Sequence, residues 1–125
     1  MSVRGSAGPT CGSPSSKAID RSVLGEWVDG DDGAIDAMLV IFSESVCLEQ
    51  NRMRAALADN DLEQHARCAH RLRGAAMAMG AHALADTSSM LEKAARAGEL
   101  SRCVTTMREL EKRIHQVMEE IPQPV

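Results

Sequence analysis

The chain has 125 residues, 44% of them apolar, and this length is enough for one domain with a hydrophobic core. Only 2% of the residues are aromatic, which argues against a strand-rich fold and favours an all-α one. The formal net charge of -4 provides no bulk attraction to nucleic acids, so we expect no nucleic-acid partner.

Residues 1–16 are rich in Gly, Ser and Pro and almost free of large apolar side chains. Such a segment buries too little surface to offset its own ordering entropy, and we predict a flexible tail or linker. From Lys17 onward the apolar residues recur at helical spacing. We therefore assign residues 17–125 to one helical domain.

Helical periodicity and helix-breaking residues delimit the elements of this domain. A short first helix is followed by Gly30 and by aspartates that can cap the next helix. Asn60 or Asp61 caps the third helix, Gly80 ends it, and Gly98 ends the fourth. The predicted helices span about 18–29, 32–58, 61–79, 82–97 and 99–120.

Short connections between long amphipathic helices favour antiparallel neighbours. The sequence therefore predicts an antiparallel up-down-up-down four-helix bundle, with the short extra N-terminal helix covering one end. The apolar stripes of the first and fourth helices include Trp27 and Met90.

The third helix carries a histidine beside arginines, with a glycine one turn later, in the stretch Ala69-His70-Arg71-Leu72-Arg73-Gly74. His70 lies about 120° from the middle of the apolar stripe, on a flank shared with Gly74, Met77 and Ala81. Residues four apart lie one above the other, so Gly74 removes a side chain that would crowd the imidazole. An exposed imidazole over bare backbone, with cations nearby, suits the acceptance and release of a phosphoryl group.

This segment resembles the motif of the histidine-containing phosphotransfer (HPt) domain family. That motif reads roughly Ala-His-x-Leu-Lys-Gly and two small residues, then Gly-Ala and a Leu-rich helix. The resemblance implies a four-helix bundle that carries phosphoryl groups between histidine and the aspartate of a receiver domain. It covers residues 69–92 in motif and residues 18–120 in helix layout. The matching residues are Ala69, His70, Leu72, Arg73, Gly74, Ala75, Ala76, Gly80, Ala81, Leu84 and Leu91.

The resemblance implies that His70 is the phosphoacceptor and assigns roles to its neighbours. Glu92 stands where the family commonly has Gln or Glu, and a hydrogen bond from Nδ1–H to it would leave Nε2 as the nucleophile. Arg73 stands where Lys is usual and keeps the positive charge. Arg73, with Arg71 or Arg67, would hold the phosphate oxygens. The expected receiver-docking surface surrounds His70 and comprises Arg67, Met77, Ala78 and Ala81.

The implied partners are response-regulator receiver domains, which would supply Mg²⁺ and the carboxylates that bind it. The sequence contains no phosphate-binding glycine loop and no nucleotide-binding segment. We therefore expect no cofactor bound by this chain and no autokinase activity of its own. It would act as a monomeric phosphorelay intermediate, either as the C-terminal module of a hybrid sensor histidine kinase or as a small stand-alone relay protein.

Cysteine usage and hydropathy bear on location. The four cysteines are dispersed without a CxxC pair, and no signal peptide is apparent, so we interpret them as reduced thiols. The longest apolar run, residues 37–42, is far too short to span a bilayer. We expect a cytoplasmic location without membrane contact by this domain, which also fits the cytoplasmic portion of a membrane sensor kinase.

Other interpretations compete with the phosphorelay. A bundle of this kind could dock a receiver without phosphotransfer, although the intact His70 argues against it, or the motif could be fortuitous in an unrelated bundle. A metal site at His65, Cys68 and His70 is disfavoured, because His70 lies on a different face from His65 and no fourth ligand is apparent. His82 and His115 are expected to be surface residues.

Overall fold

The computed structural model describes residues 18–122, which form five α-helices and no strand. The predicted tail at residues 1–16 lies outside the described residues. No helix within the described range is both long and apolar enough to cross a membrane. The helices are α1 (Arg21–Val28), α2 (Asp32–Ala58), α3 (Leu62–Ala78), α4 (His82–Arg96) and α5 (Leu100–Glu119).

The four longer helices form a bundle whose consecutive members pack side by side. Each connection between helices has three residues, which leaves no room for a crossover. Two contacts show that α2 and α3 run in opposite directions: Glu49 contacts Arg71, and four residues later the Met53 backbone carbonyl contacts His65, six residues before Arg71. The α4 helix packs against both α3 and α5. The prediction of an all-helical bundle is confirmed.

The same turn ends α2, α3 and α4, and it accounts for the sharp connections. Asn60, Gly80 and Gly98 adopt left-handed backbone conformations with φ of 57°, 73° and 72°. The residue after each donates its N–H to a carbonyl five residues earlier, as Ala81 does to Ala76 at 2.8 Å. This pattern is the Schellman motif, which satisfies the last carbonyls of a helix. Asp61 then caps α3 by accepting a hydrogen bond from the Gln64 N–H at 3.1 Å.

The α1 helix begins at Arg21, three residues later than predicted. The N–H groups of Ala18 and Ile19 donate to the Glu120 carboxylate at the end of α5, the second at 3.1 Å. The Asp20 N–H donates to the Gly80 carbonyl at 2.8 Å. These three residues therefore hold the end of the bundle together instead of extending the helix.

Trp27 and Met90, which we placed in apolar stripes, lie at the surface. Trp27 is 68% exposed and Met90 is 59% exposed, so their placement in the core was wrong. The α1 helix packs against α2 along a narrow stripe, and Leu24 is its buried residue. On α4, the buried face follows Leu84, Leu91 and their neighbours, and Met90 lies outside it.

We expect Gly80→Ala to destabilise the fold by about 3 kcal/mol, measured by urea unfolding. A Cβ on Gly80 would lie 2.4 Å from the Asp20 carbonyl oxygen, in addition to the strain of the left-handed backbone. Gly98→Ala is the matched control, because Gly98 has nearly the same φ but no atom within 4 Å of its Cβ position. The control should lose only about 1 kcal/mol. Equal losses in the two variants would contradict a rigid contact between Asp20 and Gly80.

Candidate functional site

His70 projects from the exposed side of α3 and has free space beside it. Its side chain is 55% exposed, whereas Ala69 and Leu72 on the same helix are buried. Gly74 lies one turn later, and apart from the adjacent backbone of its own helix no atom lies within 4 Å of the position that its Cβ would occupy. The space beside the imidazole on this side of α3 is therefore open.

The His70 ring is held from α4 by Glu92. Nδ1 lies 3.1 Å from Oε2 and 3.3 Å from Oε1 of this carboxylate. An ionised carboxylate only accepts hydrogen bonds, so Nδ1 is the donor of this pair, and in the neutral ring Nε2 then carries the free lone pair. The ring is thereby set in the tautomer that a nucleophilic Nε2 requires.

The Glu92 carboxylate is ionised although its side chain is only 13% exposed. Burial by itself raises the pKa of Glu92, but hydrogen bonds from Arg96 and His70 act in the opposite direction and outweigh it. The net effect lowers the pKa of Glu92 from its ordinary value. At neutral pH the residue is therefore an acceptor for Nδ1–H.

The three arginines near His70 differ in their partners. Arg71 donates from Nε and Nη2 to the Glu49 carboxylate of α2 at 3.1 and 3.3 Å. Arg67 is paired with Glu63 one turn earlier. Arg73 has no hydrogen-bond or ion-pair partner among the described residues, and its Nε is buried without one. Arg73 is thus the arginine of this group whose charge is available to a bound anion.

The surface around His70 includes some of the residues predicted for docking. Met77 is 57% exposed, Arg67 is exposed, and Ala78 is partly exposed. Ala81 is fully buried, so its assignment to the docking surface was wrong. It follows the left-handed Gly80 in the Schellman turn, a position whose apolar side chain packs back against the preceding helix.

A shallow apolar groove lies between α2 and α3, beside this surface. It encloses about 280 Å³ and reaches Ala78, two turns from His70. The exposed Ile41 at its edge was not singled out from the sequence, because its position relative to α3 depends on how α2 packs. The groove is lined by Met38, Ile41, Phe42, Ser45, Ala75, Ala78 and Met79.

The other histidines lie apart from the site. His65 is fully buried and donates from Nδ1 to the Met53 carbonyl at 2.9 Å, and burial lowers its pKa so that it stays neutral. His82 and His115 are at the surface. Among the described residues no three His, Cys, Asp or Glu side chains are grouped to hold a metal ion. Cys47, Cys68 and Cys103 are free thiols.

The site thus consists of an exposed histidine on α3 that is held by a carboxylate from α4. The family model of the Hpt domain matches residues 37–120, more than half of the chain. The chain belongs to the Hpt domain family. Hpt domains are phosphotransfer modules, and the prediction of a histidine phosphotransfer relay protein is confirmed. The roles of the individual residues stay predictions.

The Hpt fold of this chain is also similar to a solved structure. Histidine-containing phosphotransfer protein B (HptB) from Pseudomonas aeruginosa PAO1 matches with a TM-score of 0.74 and 27% sequence identity. The match covers 80% of this chain and 87% of that one. A comparison with curated proteins finds no significant match.

Proposed function

We propose that this Hpt domain takes a phosphoryl group from the aspartate of one receiver onto Nε2 of His70 and passes it to the aspartate of another. The state of the His70 ring carries the proposal. Nδ1 is bonded to the Glu92 carboxylate, and Nε2 has no hydrogen-bond partner among the described residues. A half-exposed ring in this tautomer is ready to attack an electrophile that arrives from solvent.

The transfer step balances without a proton acceptor. The Nε2 lone pair of His70 forms the new N–P bond, and the P–O bond of the aspartyl phosphate breaks, releasing the receiver carboxylate. The proton on Nδ1 stays in place, so the phosphorylated ring becomes cationic. Glu92 stabilises that charge through the 3.1 Å hydrogen bond as it develops. Donation to a second receiver is the reverse of the same step.

Arg73 would compensate the charge of the phosphoryl group. It is partly exposed and lies three residues after His70 on α3, where side chains at this spacing are neighbours. Phosphoryl transfer depends mainly on positioning and on charge stabilisation. A guanidinium without a protein partner is therefore the group best placed to bind the phosphate oxygens.

The partner in this proposal is a receiver domain that brings its own Mg²⁺ and the carboxylates that hold it. It would dock over Met77, Ala78 and Arg67 and extend onto Ile41 at the groove between α2 and α3. The chain would contribute no nucleotide site and would act as a monomer in the cytoplasm. A role for this face in docking is supported by its exposed apolar side chains next to the histidine.

The test is transfer from a receiver that has been phosphorylated by an acyl phosphate in the presence of Mg²⁺. We expect the intact mass of this domain to increase by one phosphate that is labile to acid, and fragmentation to place it on the peptide containing His70. Failure to gain phosphate from a panel of phosphorylated receivers, by a protein with full helical circular dichroism, would contradict the proposal. Receiver binding without transfer would instead identify a docking module.

A further inference from the structure

We propose that Arg96 is a positioning residue for transfer at His70: it holds the Glu92 carboxylate, which in turn fixes the imidazole with Nε2 free. This inference rests on the proposed function of His70. Arg96 lies outside residues 69–92, which match the family motif.

The contacts of a single carboxylate oxygen carry the inference. Oε2 of Glu92 accepts a hydrogen bond from Arg96 Nε at 3.0 Å, and Arg96 Nη2 lies 2.9 Å from the same oxygen in an ion pair. The same oxygen lies 3.1 Å from Nδ1 of His70. The planar guanidinium therefore holds the oxygen atom that orients the ring, through one hydrogen bond and one ion-pair contact. Arg96 lies one turn after Glu92 on α4, so it needs no tertiary contact to reach it.

Arg96 also keeps Glu92 ionised, so that the proton between Glu92 and His70 stays on Nδ1 of the ring. His70 from α3 and Arg96 from α4 are the basic groups paired with Glu92, and α2 and α5 provide none from the described residues. The Arg96 hydrogen bond is the larger of the two hydrogen-bond effects that lower the pKa of Glu92 against its burial. A protonated Glu92 could donate to Nδ1, and the ring proton would then lie on Nε2 and block its lone pair.

A purely structural role for Arg96 predicts different behaviour. Arg96 lies in the last turn of α4, where a cation also stabilises the helix dipole. Its removal would then lower stability without affecting the ring. The experiment therefore needs readouts that helix stability does not change: the pH dependence of transfer and the tautomer of His70.

We expect Arg96→Gln to slow transfer about fivefold at neutral pH, since it removes hydrogen bonds to a charged group. The acid limb of the rate profile should move to higher pH, because Glu92 then protonates more easily. Arg96→Lys should keep most of the wild-type transfer rate. The ¹⁵N NMR spectrum of unphosphorylated His70 should move from the Nδ1–H tautomer toward the Nε2–H tautomer in Arg96→Gln only.

The matched control is Arg113→Gln. Arg113 pairs with Glu109 at 3.0 Å, with the same residue types in the same order at the same spacing, but on α5. This variant should keep the wild-type rate, pH profile and His70 spectrum. In a double-mutant cycle, Arg96→Gln should add nothing to the loss caused by Glu92→Ala.

Arg96→Gln with a wild-type pH profile and His70 spectrum would overturn the inference, and so would additive losses in the cycle. The NMR arm separates the two proposals. If the wild-type protein accepts no phosphate, the proposed function fails. The His70 tautomer of Arg96→Gln still decides whether Arg96 holds the ring through Glu92.

Discussion

The His70→Gln variant should accept no phosphate from a phosphorylated receiver, yet bind that receiver with the affinity of the wild-type protein. An amide nitrogen has no lone pair available for attack on phosphorus, so the nucleophile is lost completely. The glutamine amide can still donate a hydrogen bond to Glu92. Because His70 is 55% exposed and lies outside the core, the thermal unfolding midpoint should change little. Intact mass, a binding titration and circular dichroism measure the three quantities.

His115→Gln is the matched control for this loss. His115 is an exposed histidine on α5 that lies 3.6 Å from Glu119, so it also pairs with a carboxylate. Its replacement should leave transfer at the wild-type rate. If His70→Gln still gained an acid-labile phosphate, another side chain would be the acceptor. Loss of receiver binding together with transfer would assign His70 to docking rather than chemistry.

Most of the fold followed from local signals in the sequence. Gly80 and Gly98 mark helix ends because they adopt the left-handed conformation, and Asp61 marks a helix start because its carboxylate accepts from a backbone N–H. These effects act within one turn of the chain. The start of α1 was missed because the N–H of Ile19 bonds to Glu120, about a hundred residues away, a contact that no local pattern reveals.

The site was predictable where it lies on one helix and less so where it depends on packing. Spacing along α3 places Gly74 beside His70, and the family resemblance supplied Glu92 on the next helix. The burial of Ala81 comes from a turn geometry that a helical projection does not include. The Glu49 partner of Arg71 depends on the register between α2 and α3.

The ion pair between Glu92 and Arg96 was predictable from the sequence. Glu92 and Arg96 stand at i and i+4, with the acidic residue first, which is the favourable order for an ion pair on a helix. That pattern occurs again at Glu109 and Arg113. Spacing therefore indicates the pair but not its importance, which comes from the third partner, His70, on a different helix.

The Gly74→Gln variant should transfer phosphate about 100-fold more slowly than the wild-type protein while becoming slightly more stable. Side chains on a helix lean toward its N-terminus, so the added side chain would extend over the turn that carries His70. It would occupy the open space above the backbone and displace an incoming receiver from the in-line geometry that transfer needs. Replacing glycine within an exposed helix should raise the free energy of unfolding by about 0.5–1 kcal/mol.

A slower transfer combined with a higher stability distinguishes blocked access from misfolding. A variant damaged in folding would lose both transfer rate and stability. Gly33→Gln serves as the control, since Gly33 is an exposed helical glycine in the first turn of α2, on a different helix from His70. It should keep the wild-type rate. Gly74→Ala should lie between wild type and Gly74→Gln, because a methyl group in open space obstructs less. Transfer by Gly74→Gln at the wild-type rate would show that the receiver reaches Nε2 from a direction that does not pass over Gly74, and docking would then lie toward α4 instead of α2.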